Sequence, residues 1–563
     1  MQNKNFILIS PSFISQTAYQ HMKTNNIPLT DILPENRNIR LSLIIIALTG
    51  IFLRVFHYVY NRSLWMDEIY LSSSFLHFSY ADLATRALDH DQKAPIGFLW
   101  AVKLMVDLFG KNELALRIMP LAAGIASLIV YIKVCRYFLS HYALVLAVAI
   151  FVLAPALVYH SVEIKQYSTE CLATVLALYL FIRYKDQQEW KNKIIWGLLG
   201  ALLLWFSYSV IFILAGIAGG VTLNELLKKR WKTLHIVIVP FVLWLISFVV
   251  NYLLFTHRQA ESTWVVYFFK TYGNFMPMPP HNLTELKWFP RNLQLMFDYP
   301  LGLVWDLQGF MSGIIFKLMA IPVIPALLMG TGIYAVFKTH RRNFYVLILP
   351  VLLMLFASGI YLYPLIERFW VFIAPVFILF IAFGFDYFRL KLKKQWIALA
   401  VFIVILAGPI VQSAWYLVKP ETFYKHKKSM ERESLLHISE NFRKGDAVYN
   451  YWNNYPGFDF YKVILPLKYM AAEGKDVRKK FSSLAGYNEN LQQDLKQFAG
   501  KKRVWVIYNT LFLTDIGDLA DDPKWYYKNN APNDNLMAQF NKIGRPVQQR
   551  VYPDVTVVLF ELN

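Results

Sequence analysis

The chain of 563 residues is 56% hydrophobic and only 17% charged, and its mean hydropathy is +0.36. These values exclude a string of ordinary soluble domains and indicate a polytopic membrane protein. The 57 Lys and Arg residues outnumber the 37 Asp and Glu residues, which gives a formal net charge of +20. Much of this excess lies in short clusters beside apolar segments, so it indicates membrane topology rather than a nucleic-acid partner.

Apolar segments long enough to span a bilayer recur from Leu41 to Val418, and none follows. The first 40 residues are polar and carry no cleavable signal peptide, so we expect 41–60 to act as an uncleaved signal anchor. The sequence therefore predicts three parts, namely a cytoplasmic tail over 1–40, a transmembrane domain over 41–419 and a soluble domain over 420–563.

Six basic clusters predict the orientation, because Lys and Arg beside spans remain in the cytoplasm. They are the N-terminal tail, Lys133 with Arg136, 183–193, 228–232, 338–342 and 389–394. The apolar run 96–110 has about 15 residues and is too short to cross, so we interpret it as a helix along the outer interface. Long loops at 61–117 and 256–313 then lie outside. Eleven spans satisfy every cluster: 41–60, 118–134, 142–161, 168–184, 194–208, 209–227, 234–255, 314–337, 344–362, 370–388 and 396–418.

The odd number of spans places the C-terminal residues outside as well, where they predict a small extracytoplasmic α/β domain. Its predicted elements are strands at Ala447–Tyr451, Arg503–Tyr508 and Val551–Leu562 and helices at 432–442 and 491–498.

Two pairs of acidic residues are candidates for catalysis. Asp67 and Glu68 follow the first span, where the alternative is a solvated turn. The end of the third span carries Glu163 and Glu170, and helical spacing would place both on one face with Tyr167. Acids at membrane depth favour function, and the alternative is a surface pair between Glu163 and its near neighbour in sequence, Lys165.

Three cations are expected at the same membrane face. They are Lys93 before the interfacial helix, Arg117 at the mouth of the second span and Arg368 between the ninth and tenth spans. A lysine ammonium or an arginine fork at headgroup depth can hold a lipid phosphate. The alternatives are a snorkelling lysine at position 93 and a salt-bridged turn at position 368.

The sequence predicts no cofactor and no metal ligands. Cys135 and Cys171 are far apart, and no His/Cys spacing typical of a metal site is present. A divalent cation is left open.

The order of these motifs resembles the protein O-mannosyltransferase-like branch of the type C glycosyltransferases. The acidic pair, Lys-Ala-Pro from Lys93, the segment Asn112–Pro120, Glu-Ile-Lys-Gln-Tyr from Glu163 and Glu-Arg-Phe from Glu367 follow one another. That bacterial branch includes enzymes similar to the aminoarabinose lipid A transferase.

The resemblance implies roles for several residues. Asp67 matches the acid that acts as catalytic base or orients the acceptor, with Glu68 as its usual neighbour, and Lys93 matches the lysine near the donor phosphate. The second acid corresponds to Glu163 or Glu170. Arg368 matches a basic residue often followed by an aromatic one. Two positions depart from the pattern: Lys165 replaces an arginine, and Tyr70 replaces an arginine of the aminoarabinose branch, which weakens the case for that donor.

The resemblance further implies an inverting glycosyltransferase of the bacterial inner membrane, with a polyprenyl-phosphate-linked sugar as donor and an envelope glycan, lipid or protein as acceptor. The residues suit this chemistry. Lys93, Arg117 and Arg368 would stabilise the leaving phosphate, and Asp67 would accept or polarise the proton of the acceptor hydroxyl. The alternatives are a secondary transporter or lipid flippase, which would place its site near the midplane, and a noncatalytic envelope scaffold.

Overall fold

The computed structural model describes residues 34, 36–257, 263–305, 321–423, 429–510, 523–527 and 532–563. Most of the predicted tail 1–40, the end of the loop 256–313 and the start of the predicted span 314–337 lie outside the described residues.

Helices make up most of the described chain from Arg37 to Val418. The α-helices are Arg37–Tyr60, Met66–His77, Tyr80–Thr85, Ile96–Phe109, Glu113–Phe138, His141–Leu153, Pro155–His160, Tyr167–Tyr184, Trp190–Phe206, Val210–Leu227, Trp231–Asn251, Thr263–Thr271, Leu283–Asp298, Val323–Thr339, Arg341–Gly359, Ala374–Lys391 and Gln395–Val418. A π-helical turn, Tyr252–Thr256, extends one of them, and a 3-10 helix, Glu367–Ile373, precedes another.

Seven of the described helical stretches are long and apolar enough to cross a bilayer. They are Arg37–Tyr60, Glu113–Phe138, Val210–Leu227, Trp231–Thr256, Arg341–Gly359, Glu367–Lys391 and Gln395–Val418. The chain is thus a multi-pass helical membrane protein. The other four predicted spans coincide with shorter or less apolar helices, so the count of eleven stays a prediction.

The predicted third span, 142–161, is broken in the structure. Its helix ends at Leu153, and a second short helix begins at Pro155. Proline has no N–H to donate and its ring clashes with the preceding turn, which explains the break. The short helix ends at His160, and the next begins only at Tyr167. Residues 161–166 therefore form a turn at the end of the bundle.

Close glycine contacts fix the packing of two helices. A Cβ on Gly332 would lie 1.8 Å from the carbonyl oxygen of Phe380, and a Cβ on Gly384 would lie 1.8 Å from that of Leu328. Only glycine permits this approach, which is a common basis of helix association in membranes.

The C-terminal α/β domain is built on a mixed five-stranded sheet. Its strands are β1 (Ala447–Asn450), β2 (Ala471–Glu473), β3 (Arg503–Asn509), β4 (Gly544–Val551) and β5 (Val555–Leu562), in the order β2-β1-β3-β5-β4. The strand β1 pairs in parallel with β2 and β3, and β5 pairs antiparallel with β3 and β4. The helices of this domain are Glu431–Asn441, Tyr455–Ile464, Leu484–Leu495, Lys524–Tyr527 and Pro532–Phe540.

One predicted strand of this domain is wrong in part. The segment predicted as a single strand, Val551–Leu562, contains the turn between β4 and β5, because Pro553 and Asp554 interrupt its apolar run. The domain shares an apolar core with the first long loop. Leu64 and Phe75 of the loop belong to the same buried cluster as Leu435 and Tyr461 of the domain.

Candidate active site

Three segments that are distant in sequence meet at one end of the helical bundle. They are the start of the helix Met66–His77, the turn 161–166 and the 3-10 helix Glu367–Ile373. We call this end of the bundle the site end. It brings together five charged side chains, Asp67, Glu68, Glu163, Lys165 and Arg368.

Asp67 and Arg368 form an ion pair at the centre of this cluster. Their side chains are 26% and 24% exposed, whereas Glu68, Glu163 and Lys165 are at most 5% exposed. Burial alone would raise the pKa of Asp67, but the charges of Lys165 and Arg368 hold it below its usual value. Asp67 and Arg368 are therefore the most exposed of these five charged groups.

Lys165 connects this pair to the segment that carries Lys93. Its Nζ donates a hydrogen bond of 2.5 Å to Gln92 Oε1. Lys93 is half-buried and makes no hydrogen bond or ion pair with any described residue, and burial lowers its pKa although Asp91 opposes the shift. A lysine without a protein partner beside a charged cluster is suited to hold an anionic ligand.

The backbone before Lys93 adopts an unusual conformation. His90 and Asp91 have backbone φ angles of 54° and 51°, which residues other than glycine adopt only in a few per cent of cases. The His90 ring stacks on Tyr70 at 4.4 Å, next to Asp67. Strain of this kind persists where surrounding contacts enforce it and is enriched at functional sites.

Glu68 is fully buried, and protein groups surround both carboxylate oxygens. One oxygen lies 2.6 Å from Arg62, and the other accepts a hydrogen bond of 2.9 Å from the Ile164 N–H. Arg117 lies 3.5 Å from the second oxygen. Glu68 therefore joins the first loop to the turn 161–166. The alternative interpretation, in which this acid lies in a solvated turn, is therefore wrong for Glu68.

Glu163 lies within a buried chain of hydrogen bonds. Trp65 Nε1 donates to one oxygen at 3.0 Å, and His160 Nδ1 lies 2.5 Å from the other. His160 Nε2 is in turn 3.0 Å from the hydroxyl of Tyr299. Glu163 and Lys165 are both buried and act electrostatically on Asp67, so the alternative of a surface pair is wrong.

Glu170 does not share this environment. Its carboxyl hydrogen-bonds with the Ser209 hydroxyl and with the backbone N–H groups of Tyr208 and Ser209. It thereby satisfies backbone groups at the break between the helices Trp190–Phe206 and Val210–Leu227. The prediction that Glu163 and Glu170 lie on one helical face is wrong, because residue 163 lies in the turn 161–166.

Tyr167 begins the helix after the turn and packs between two site segments. Its ring lies 4.9 Å from that of His160 and 6.1 Å from that of Phe369, and its hydroxyl interacts electrostatically with Arg368.

Arg117 contacts Glu68 and the first loop, whereas Arg368 pairs with Asp67. Its guanidinium donates to the side-chain oxygen of Asn61 at 2.6 Å and to the carbonyl oxygen of Arg62 at 2.8 Å, and its side chain is 1% exposed. It holds the loop in place. Of the three predicted cations, Lys93 and Arg368 thus remain accessible.

Sequence reasoning missed several residues of this site. Lys165 was visible in the Glu-x-Lys-x-Tyr motif, but its contacts were not. Arg62, His160 and Tyr299 gave no signal, since Tyr299 reaches His160 across 139 positions of the chain.

An apolar groove of about 620 Å³ lies against the helix Ile96–Phe109, which follows Lys93 in the sequence. It runs between the helices Ile96–Phe109 and Trp190–Phe206 and is lined mainly by Tyr80, Trp100, Ala101, Leu104, Leu202 and Trp205. No group of three or more His, Cys, Asp or Glu side chains in the described part of the chain is arranged to hold a metal ion.

The amino-acid sequence of residues 93–266 matches the family model of dolichyl-phosphate-mannose-protein mannosyltransferase. No curated protein is significantly similar in sequence. The fold is similar to that of ArnT from Cupriavidus metallidurans bound to undecaprenyl phosphate, with a TM-score of 0.50 and 11% identity over 92% of this chain and 97% of that one. A comparison with the archaeal oligosaccharyltransferase AglB from Archaeoglobus fulgidus, in complex with an inhibitory peptide and a dolichol-phosphate, gives a TM-score of 0.44. The identity is 13% over 91% of this chain and 73% of that one.

The matched residues begin at Lys93 and include the turn 161–166, which carries Glu163 and Lys165 of the charged cluster around Asp67. The similarity to ArnT shows the shared fold over nearly the whole chain. Together these findings confirm the resemblance to the protein O-mannosyltransferase-like branch of the type C glycosyltransferases.

Proposed function

We propose that this protein is an inverting membrane glycosyltransferase that moves a sugar from a polyprenyl-phosphate donor to an envelope glycan, lipid or protein. The observation that carries the proposal is the accessible ion pair of Asp67 and Arg368, with the unpaired Lys93 in a neighbouring segment. ArnT, whose fold is similar, was solved bound to undecaprenyl phosphate.

In this proposal the acceptor oxygen attacks the anomeric carbon while its proton passes to the Asp67 carboxylate. The bond from that carbon to the phosphate oxygen breaks, and the polyprenyl phosphate leaves with the electron pair. Lys93 and Arg368 stabilise the charge that develops on the phosphate. Attack from the side opposite the leaving group inverts the anomeric centre.

The contact between Asp67 and Arg368 gives donor binding a second role. Arg368 is one of the two cations that lower the pKa of Asp67. When a donor phosphate pairs with Arg368 and neutralises its charge, the pKa of Asp67 rises. The carboxylate then becomes a stronger base when the donor is in place. Coupling of this kind limits reaction in the absence of the correct substrate.

The apolar groove supports a lipid-linked donor. One wall is the helix Ile96–Phe109, which begins three residues after Lys93, and we propose that this groove holds the hydrocarbon chain of a donor whose phosphate Lys93 binds. Burial of each CH₂ group contributes about 0.8 kcal/mol. We therefore expect donors with long polyprenyl chains to bind more tightly than water-soluble analogues with short chains.

The proposed orientation is N-terminus in the cytoplasm and C-terminal domain outside the bacterial inner membrane, as the basic clusters predict. A single cysteine at position 470 tests it, because Met470 is 95% exposed while Cys135 and Cys171 are buried. We expect an impermeant thiol reagent to label Met470→Cys in intact spheroplasts. Labelling only after the inner membrane is permeabilised would contradict this orientation.

The main experiment measures sugar transfer by the purified protein in detergent. Synthetic polyprenyl-phosphate sugars serve as donors, and mass spectrometry of envelope lipids, glycans and glycoproteins from cells with and without the active chain identifies sugar and acceptor. Assays with and without EDTA measure dependence on a divalent cation. Transfer with inversion supports the proposal. Lipid movement across vesicles without any sugar transfer would favour the alternative of a flippase or transporter.

A further inference from the structure

Two polar side chains of the C-terminal domain contact the segment that precedes Asp67. Tyr461 lies in the helix Tyr455–Ile464 and is fully buried, and Arg432 lies in the first turn of the helix Glu431–Asn441. Both helices contribute apolar side chains to the core that the domain shares with the first long loop. The contact is therefore a packed interface and not an isolated bond.

Three groups outside the domain surround the Tyr461 hydroxyl. The Leu64 N–H donates to its oxygen at 2.8 Å, and the hydroxyl donates to Glu113 Oε1 at 2.6 Å. The Ser63 hydroxyl lies 3.0 Å away. A phenol has one proton to donate, so the Ser63 hydroxyl is the donor in this last contact. Burial and the charge of Glu113 raise the pKa of Tyr461, which keeps the hydroxyl protonated.

Arg432 contacts the same segment at Asn61 and Ser63. Its guanidinium donates to the carbonyl oxygen of Asn61 at 2.7 Å and forms an ion pair with Glu113, and its backbone N–H donates to Ser63 Oγ at 3.2 Å. Asn61 ends the helix Arg37–Tyr60 with a φ of 47°, the left-handed conformation in which asparagine often caps a helix.

We propose that Tyr461 and Arg432 are positioning residues for Asp67, so that the C-terminal domain completes the active site. Only two residues separate Leu64, which Tyr461 holds, from Asp67. The segment is also fixed on the far side of Asp67, because the neighbouring carboxylate of Glu68 is tied to the turn 161–166. Asp67 is thus held between two anchored positions.

The variant Tyr461→Phe tests this inference, because it keeps the buried ring and removes only the hydroxyl. The Leu64 N–H and the Glu113 carboxylate then lose a partner. We expect kcat for sugar transfer to fall by about tenfold to a hundredfold. The KM for donor should change much less, because Lys93 and Arg368 are untouched.

Tyr451→Phe is the matched control. Tyr451 is also fully buried, and its hydroxyl lies 2.6 Å from that of Tyr487 inside the C-terminal domain. We expect both variants to lower the Tm of the protein, while Tyr451→Phe leaves kcat of the folded protein unchanged. Equal kcat values for Tyr461→Phe and Tyr451→Phe would show that Tyr461 has a structural role alone.

Arg432 provides a second variant in case Tyr461→Phe folds poorly. Arg432→Lys keeps the positive charge beside Glu113, whereas Arg432→Ala removes it. We expect kcat to decrease in the order wild type, Arg432→Lys, Arg432→Ala, with Tm measured in parallel. Wild-type kcat in Arg432→Ala would overturn the role assigned to this residue.

The kinetic tests rest on the proposed sugar transfer, so a readout without activity is needed as well. Amide hydrogen exchange of residues 61–70 should become faster in Tyr461→Phe and remain unchanged in Tyr451→Phe. Unchanged exchange in both variants would overturn the inference even if the protein transfers sugar. Absence of transfer by the wild type would contradict the proposed function and leave the exchange result to decide the positioning role.

Discussion

The two ends of the helical bundle carry charged residues in different arrangements. At the site end, Asp67 pairs with Arg368 across 301 positions of the chain, and Glu68 and Glu163 are fully buried. Charges buried at membrane depth cost several kcal/mol unless they are paired, and such residues usually have a function.

At the opposite end, several ion pairs are exposed or local, and the buried Lys193 donates to the backbone carbonyl oxygens of Tyr184 and Lys185. Arg389 lies 2.9 Å from Asp386, three residues away, and Asp186 is 62% exposed where it pairs with Arg342. Pairs of this kind contribute little energy. They lie in or beside the basic clusters at 183–193, 338–342 and 389–394, which fit topology. From this contrast we expect the chemistry to take place at the site end.

The strongest test of this contrast removes the same charge at each end. Asp67→Asn keeps the side-chain volume but removes the base, and we expect the rate of sugar transfer to fall by about 10²- to 10⁴-fold. Asp186→Asn also breaks an aspartate–arginine pair and should leave the rate unchanged. Both are measured as kcat of purified, folded protein with a polyprenyl-phosphate sugar. A fully active Asp67→Asn protein would move the catalytic role to another acid.

The next largest effect is expected for the two accessible cations. Lys93→Ala and Arg368→Ala each remove a charge-assisted contact to the donor phosphate, which should cost about 1.5–3 kcal/mol. The measurement is donor KM and kcat/KM, with Arg342→Ala as the control at the opposite end. Wild-type transfer by both site variants would show that the proposed donor site is wrong.

A smaller effect should separate the two candidates for the second acid. Glu163→Gln disturbs the hydrogen bonds to His160 and Trp65 beside Asp67, and we expect about a tenfold lower kcat. Glu170→Gln changes a group that contacts Ser209 at the break between two helices. It should therefore lower Tm while kcat of the folded protein changes little. The reverse ranking in kcat would assign the second acid to Glu170.

The fold was more predictable from the sequence than the site. Long apolar runs favour helices by their own composition, so most described residues of the predicted spans are helical, although 142–161 is broken at Ala154. The short helix near 96–110 was predicted for the same reason and is observed at Ile96–Phe109. The hairpin of β4 and β5 was missed because the alternation of β4 is weak, with seven exposed residues out of eight.

The contacts of the site could not be read from local patterns. Glu68 and Asp67 are adjacent in sequence, yet one is enclosed by protein groups and the other is accessible. This difference depends on Ile164 and Arg368, which only the tertiary structure brings near. Pattern alone also could not foresee that the chain leaves the helix before Glu163, because that turn is held by long-range hydrogen bonds.

The smallest predicted effect concerns pH and Lys165. Burial raises the pKa of Asp67, Lys165 and Arg368 lower it, Glu163 raises it, and the net shift is downward. The carboxylate therefore stays ionised, and any stability it contributes persists, until the pH falls through this lowered value.

Lys165→Met keeps the length of the side chain and removes one of the two cations, so the pKa of Asp67 should rise. The acid limb of kcat/KM against pH should then move to higher pH, whereas the ratio of variant to wild-type rate should be independent of pH above neutrality. Lys103→Met is the control, because Lys103 pairs with the exposed Asp107 at 2.8 Å. An acid limb that moves to lower pH, or equally in both variants, would show that Lys165 does not control the ionisation of Asp67.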